Sequence, residues 1–268
     1  MVTGSGENVI IGNNAAAAST TLQQSIVIGD NAVGSGVATG ASNVIIGDNA
    51  GYALTSGATN VAIGAAAFTT NTTGAQNAVM GHAALYTNTS GSQNVAIGYT
   101  ALYSNTTAQY NTAVGNVSLD ANTTGSQNTS AGHNSLGANT TGSFNTSVGS
   151  GSLSLNTTAS NNTAMGINAL LSNTTGATNV AIGGLSLDAN TTGPNNVAVG
   201  YSALSANTTA QANVAVGVSA LTANTTGAFN TAIGNRALVT NTSAAGNVAV
   251  GADALLLTTT GASNTSVG

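Results

Sequence analysis

The sequence predicts an all-β fold, a parallel β-solenoid of 17-residue coils, on three observations: a constant repeat interval, an invariant glycine after a short apolar run, and turn residues closing each unit. The interval decides most. Asn60, Asn77, Asn94, Asn111, Asn128, Asn145, Asn162, Asn179, Asn196, Asn213, Asn230, Asn247 and Asn264 follow one another at a spacing of 17 with no slip. Upstream, Asn8, Ser25 and Asn43 extend the series with one extra residue between the last two, and these units lack the later Asn-Thr-Thr signature. Residues 1–59 therefore read as divergent opening coils or a cap, and residues 60–268 as the regular solenoid with its last unit incomplete. A helix pair or a propeller blade needs about twice as many residues per unit, whereas one turn of a parallel β-coil does not.

Each regular unit opens on a short strand. The anchor Asn is usually followed by Val or Thr, then Ala or Ser, then Ile, Val or Met, then Gly. Side chains alternate along a strand, so Val61 and Ile63 are expected on one face and Ala62 on the other. The Ile/Val column, with Met80 and Met165 in it, is expected in the core. The corner glycines are Gly64, Gly81, Gly98, Gly115, Gly132, Gly149, Gly166, Gly183, Gly200, Gly217, Gly234 and Gly251, where a tight bend calls for positive φ.

After two variable positions comes Ala or Ser, then a large apolar residue (Phe68, Leu85, Leu102, Leu119 and their successors to Leu255) that forms a second core-facing stretch. A coil this small encloses little volume. The Leu column is thus expected either inside the coil or against a sister chain, where a parallel homotrimer would bury it along a common axis. The unit closes on Asn-Thr-Thr or Asn-Thr-Ser followed by Gly or Ala, residues suited to turns. Stacked at ~4.8 Å, identical positions form columns, among them two of Asn whose amides hydrogen-bond up and down the stack. The triplets at Asn71, Asn88, Asn105, Asn122, Asn139, Asn156, Asn173, Asn190, Asn207, Asn224 and Asn241 are also formal N-glycosylation acceptors, a row of glycans in a secreted product and plain turns otherwise.

Composition narrows the functional classes. There is no Lys, one Arg (Arg236), one Glu (Glu7) and five Asp, so neither a nucleic acid nor an anionic lipid surface finds a basic patch. Cysteine is absent, which excludes disulfides and thiolate metal sites. No apolar run reaches the roughly 18 residues of a membrane helix. Residues 1–12 lack the basic start and apolar stretch of a signal peptide, which counts against that export route if Met1 is the start. The series stops five residues into a unit at Gly268, as an excerpt of a longer chain would.

Units such as Asn94 to Tyr110 (NVAIGYTALYSNTTAQY) and Asn213 to Phe229 (NVAVGVSALTANTTGAF) resemble the head repeats of trimeric autotransporter adhesins. They resemble more closely the longer Asn-Thr-Ala-Val-Gly repeats of bacteriophage tail fibre proteins. The resemblance covers essentially the whole chain, although the 17-residue unit is longer than that of the adhesin heads. It implies a left-handed parallel β-roll, three chains about one axis, a virion or extracellular location, and a role in presenting a host-binding tip. Phage fibres of this type often end in a self-cleaving chaperone domain, for which this sequence has no counterpart.

Reactive residues are few. His82 and His133 share a column three coils apart, ~14 Å at the stacking distance, and read as surface imidazoles. Asp120 and Asp188, four coils and ~19 Å apart on the same reckoning, are too distant for a paired acid and base. Five Asp do not make a calcium-binding roll, so no catalytic residue, metal or cofactor is expected. Tyr86, Tyr99, Tyr103, Tyr110, Tyr201, Phe144 and Phe229 fall on variable positions, where they either cover a neighbouring coil or stack on sugars. The expected function is a structural fibre shaft whose partners are copies of itself and, through a tip outside this chain, a host receptor. The alternatives are a secreted cell-surface filament, glycosylated or not, and an ice-binding solenoid. The last is weakened because the two Thr of each turn are adjacent and point in opposite directions.

Overall fold

The computed structural model describes residues 6–19 and 21–268, and among them there is no helix. Sixteen strands of three residues each, β1 (Val9–Ile11) to β16 (Thr265–Val267), recur once per coil. The chain is a parallel β-solenoid of about 15 turns, and it divides into two compact units that meet in sequence at Asn134 and Ser135. In the first unit β1 to β8 (Thr129–Ala131) pair in sequence order; in the second, β9 (Thr146–Val148) to β16 do the same. Every pair is parallel and in register, as in Val61↔Ala78 and Ile63↔Met80, or Thr163↔Val180 and Met165↔Ile182. Like residues therefore lie over like. The coils before Asn60 carry the same strand, and the extra residue there is absorbed outside it, since Ile26 still pairs with Val44.

The strand is turned the other way from the sequence-based expectation. The middle residue points inward: Ala62, Ala96, Ala113, Ala164 and Ala181 are fully buried. The flanking residues that alternation places opposite it face outward, with Met80 50%, Met165 42% and Ile97 38% exposed. The expected Ile/Val core is thus an Ala core, and Met80 and Met165 are surface residues. The cause is the width of the coil. The strand lies against the Ala/Ser positions before each Leu, and two facing layers this close favour small side chains, Val79 being the largest inward strand residue of the regular coils. The opening coils show the same constraint by exception, because Ile45 occupies the inward strand position where Gly51 stands in the Leu column. A Cβ at Gly51 would lie 3.2 Å from the Ile45 Cγ2.

The Leu column fills the remaining interior. Leu85, Leu102, Leu119, Leu136, Leu153, Leu170, Leu187, Leu204, Leu221 and Leu238 are fully buried within their own chain. This settles the choice between the coil interior and an interchain axis in favour of the coil interior. Each such burial stabilises the fold by roughly 1.5–3 kcal/mol. The stretch that carries these residues is not a strand. It is a run of turns in which two residues per coil take left-handed backbone, as at Ala83 (φ 52) and Leu85 (φ 51), or Leu185 (φ 55) and Leu187 (φ 53). Left-handed non-glycine backbone is unfavourable, so the buried Leu and the bonds to the next coil hold it in place, such as Leu187 N–H to Ala203 O at 2.9 Å.

Two columns of buried Asn run through each unit, and their amides are hydrogen-bonded apart from Asn247 Nδ2 and Asn241 Oδ1 near the last coils. In the anchor column the Asn60 backbone N–H donates to Asn43 Oδ1 at 2.9 Å, while Asn60 Nδ2 donates to Gly74 O at 3.0 Å, tying the start of the coil to its end. In the turn column Asn88 Nδ2 donates to Asn71 Oδ1 at 2.7 Å and to Gly91 O at 2.9 Å, closing its own turn and joining it to the one before. A third ladder was not anticipated from sequence: the first Thr after each turn Asn donates its hydroxyl to the same residue's carbonyl one coil on, as from Thr174 to Thr191 O at 3.0 Å. Buried Ser is paired either with Ser across the interior, as Ser118 and Ser130 Oγ lie 2.7 Å apart, or with backbone, as Ser186 Oγ donates to Gly183 O at 2.8 Å. A hydroxyl inside an apolar layer is stable only when paired.

The turn-Asn ladder has a visible terminus. Thr258 stands where the next Asn would, and the Asn241 Oδ1 is buried with no partner. Thr258→Asn is expected to supply that donor and raise stability by about 1 kcal/mol, read as a higher denaturant midpoint with unchanged slope.

Candidate functional site

Three features of the surface are candidates: the outward strand face, the aromatic residues of two adjacent coils, and the column of turn Asn. The strand face comes from alternation. With Ala inside, the residue before each corner Gly faces out, and in all sixteen strands that residue is Ile, Val, Met or Ala. The other outward column holds Val, Ile, Ala and Thr, so neither contains a charge. At the corner itself Gly64 has φ +140 and Gly98 +138, in accord with the bend expected there.

The aromatic residues are unevenly placed. Of six Tyr, four (Tyr86, Tyr99, Tyr103 and Tyr110) fall in two consecutive coils, which removes them from simple repetition. The His82 and Tyr99 rings stack at 5.4 Å and 10°, and Tyr86 stacks on Tyr103 at 5.1 Å and 7°. Stacking at the coil spacing is what equal positions in neighbouring coils impose. Tyr86 and Tyr103 are half-buried and so cover their coils, whereas Tyr99 and Tyr110 are 54% and 53% exposed. Beside Tyr110 a groove of about 390 Å³ opens between two turns, lined by Thr107, Gln109, Tyr110, Thr124, Ser126 and Gln127.

The turn Asn of every glycosylation triplet is fully buried, from Asn71 and Asn88 through Asn105, Asn122, Asn139, Asn156, Asn173, Asn190, Asn207 and Asn224 to Asn241. Where the ladder is seen at length, as at Asn173, the nitrogen that would carry a sugar already donates to Asn156 Oδ1 and Gly176 O, both at 2.9 Å. A glycan on that nitrogen replaces a donor inside the fold, so the folded chain presents no acceptor there.

Titratable groups form no cluster. Among the described residues no three His, Cys, Asp or Glu side chains come together as metal ligands, and His82 and His133 are exposed. Arg236 Nε meets Asp253 Oδ1 at 3.4 Å across adjacent coils, with both side chains about half exposed, an ion pair that contributes little. Burial pushes the Asp120 and Asp188 carboxyls above the ordinary carboxylate range, against the opposing pull of backbone N–H groups at Asp120 and Ala121, and at Asp188 and Ala189. The Asp188 Oδ1 is closed off with no partner. A raised folded-state pKa means that the folded form holds its proton more tightly, so stability is greatest in acid and is lost as pH rises through the unfolded and then the folded pKa. Asp188→Asn is expected to raise the melting temperature at pH 7, and the gain should vanish near pH 3.

No protein-family model matches the sequence, and no curated protein matches it.

Proposed function

We propose that the chain is the structural shaft of an extracellular fibre, a left-handed β-roll that self-associates as a parallel homotrimer and carries a host-binding tip outside this sequence. The observation that carries this reading is the outward strand face, a column of Ile, Val, Met and Ala with no charge, beside a second of Val, Ile, Ala and Thr. Apolar surface of this continuity is what a partner covers. A second copy is the fitting partner, since its own column repeats at the same spacing and needs no counter-charge. The trimer axis then runs beside the column of strands, across the direction of each strand, and the Leu column, already enclosed, takes no part.

The resemblance to phage tail fibre repeats favours a virion over a cell-surface filament. A glycosylated filament is disfavoured by the buried turn Asn. Ice binding is disfavoured because one Thr of each turn donates its hydroxyl to the backbone, as Thr157 does to Thr174 O.

Native mass spectrometry of the chain should give three times the 25.5 kDa protomer mass, and electron microscopy should show fibres. Met165→Lys with Ile182→Lys, on the strand face of neighbouring coils, should return the chain to monomers with an unchanged circular dichroism spectrum. A monomer at all concentrations before any substitution would remove the proposal.

A further inference from the structure

Among the described residues, the groove at Tyr110 is a concave place where the regular repeat departs from its own pattern. In the column just before the anchor Asn, the coils of this region carry Gln76, Gln93, Tyr110 and Gln127, so Tyr110 interrupts a row of amides. Its neighbour Gln109 interrupts a row of short residues, between Ser92 and Ser126. Both changes fall in one coil, and together they form a wall. The Tyr110 ring is 53% exposed and, among the described residues, stacks on no other ring. The backbone below is fixed by Gln109 N–H to Ser126 Oγ at 3.2 Å and by Gln127 N–H to Gln109 O at 3.1 Å. Among the described residues the side-chain amides of Gln109 and Gln127 have no hydrogen-bond partner, and both residues are exposed, as are Thr107 and Thr124.

We propose that this groove binds a neutral oligosaccharide. A pyranose ring presents apolar C–H groups on its faces and hydroxyls around its edge. An exposed tyrosine supplies a flat, polarisable surface for the former, and its rim of amides and hydroxyls pairs with the latter as both donors and acceptors. The absence of any charged residue in the lining selects an uncharged glycan over a sulfated or sialylated one, whose anionic groups would be desolvated without a counter-charge. At about 390 Å³ the groove lies in the size range of small-ligand sites and is open at its surface, which suits a segment of a chain. Tyr103 and Tyr86 have no such role because they face each other. The site flanks the strand face without including it, so it does not depend on the fibre reading.

The test is binding of the purified chain to an array of neutral and anionic glycans, followed by titration of the best neutral oligosaccharide by isothermal calorimetry. Tyr110→Gln, which makes the column uniform and so preserves the fold, is expected to weaken binding about tenfold or more. Tyr110→Phe should keep most of it. Thermal melting of both variants should match the parent chain. Retention of anionic glycans alone, no saturable binding of any neutral glycan, or equal affinity in Tyr110→Gln would each overturn the assignment.

Discussion

Asn173→Asp is expected to cost about 5 kcal/mol of stability at pH 7 and only about 1 kcal/mol at pH 3, a pH dependence that the parent chain lacks at this position. Asn173 is fully buried. It donates to Asn156 Oδ1 and Gly176 O, and its own Oδ1 accepts from Asn190 Nδ2 at 2.9 Å. An ionised carboxylate accepts from Asn190 but places charge against two acceptors. The protonated acid restores one donor. Its folded-state pKa therefore rises by about 3 units above the unfolded value near 3.9, each unit worth about 1.4 kcal/mol. Stability relative to the parent should fall steadily between about pH 4 and pH 7 and be flat on either side. Urea unfolding across that range checks this, with Asn173→Ala as a reference whose loss of about 2–3 kcal/mol stays constant with pH. A pH-independent loss in the Asp variant would mean that the column is hydrated.

Gly115→Ala should cost about 3 kcal/mol or more, and Gly91→Ala less than about 1 kcal/mol, although both glycines recur in the repeat. At Gly115 the backbone has φ +139 and a Cβ would stand 2.4 Å from the Gly132 carbonyl oxygen. Strain and collision coincide, and the collision is with backbone that sits in the same corner of the next coil. At Gly91 a Cβ would also stand 2.4 Å from the Ala108 carbonyl oxygen and from Asn88 Oδ1, but the backbone there has no positive φ, and its column already accepts Ala at Ala108 and Ala159, so small backbone shifts relieve the contact without strain. Denaturant midpoints of the two variants separate the invariant glycine from the merely frequent one.

Strict repetition announced parallel stacking, the corner glycines and both Asn ladders, because each depends only on identical residues recurring at one interval. The orientation of the strand was not legible from the strand itself. Val61-Ala62-Ile63 alternates equally well either way, and hydrophobicity alone favours burying the larger pair. What decides is the small residue across the coil, Ala67 or Ser118, which signals a gap too narrow for Ile. The pairing of Ser118 with Ser130 carried the same message, since there a polar residue enters both facing layers together. The left-handed turns around Leu85 left no trace in composition, because Leu and Ala do not favour that backbone and adopt it under the pull of neighbouring coils. Of the candidate surface, the aromatic clustering was visible in the chain order. The groove at Tyr110 needed the geometry of two turns.

The turn-Asn ladder also has a direction. Each Nδ2 donates backward along the chain, from Asn88 to Asn71, Asn105 to Asn88 and Asn122 to Asn105 in the first unit. A completed coil thus exposes an acceptor that awaits the residue synthesised after it. The ladder can therefore grow from either end, by a donor on one side or an acceptor on the other, and aligned amide dipoles make every added rung bind a little more firmly than an isolated one.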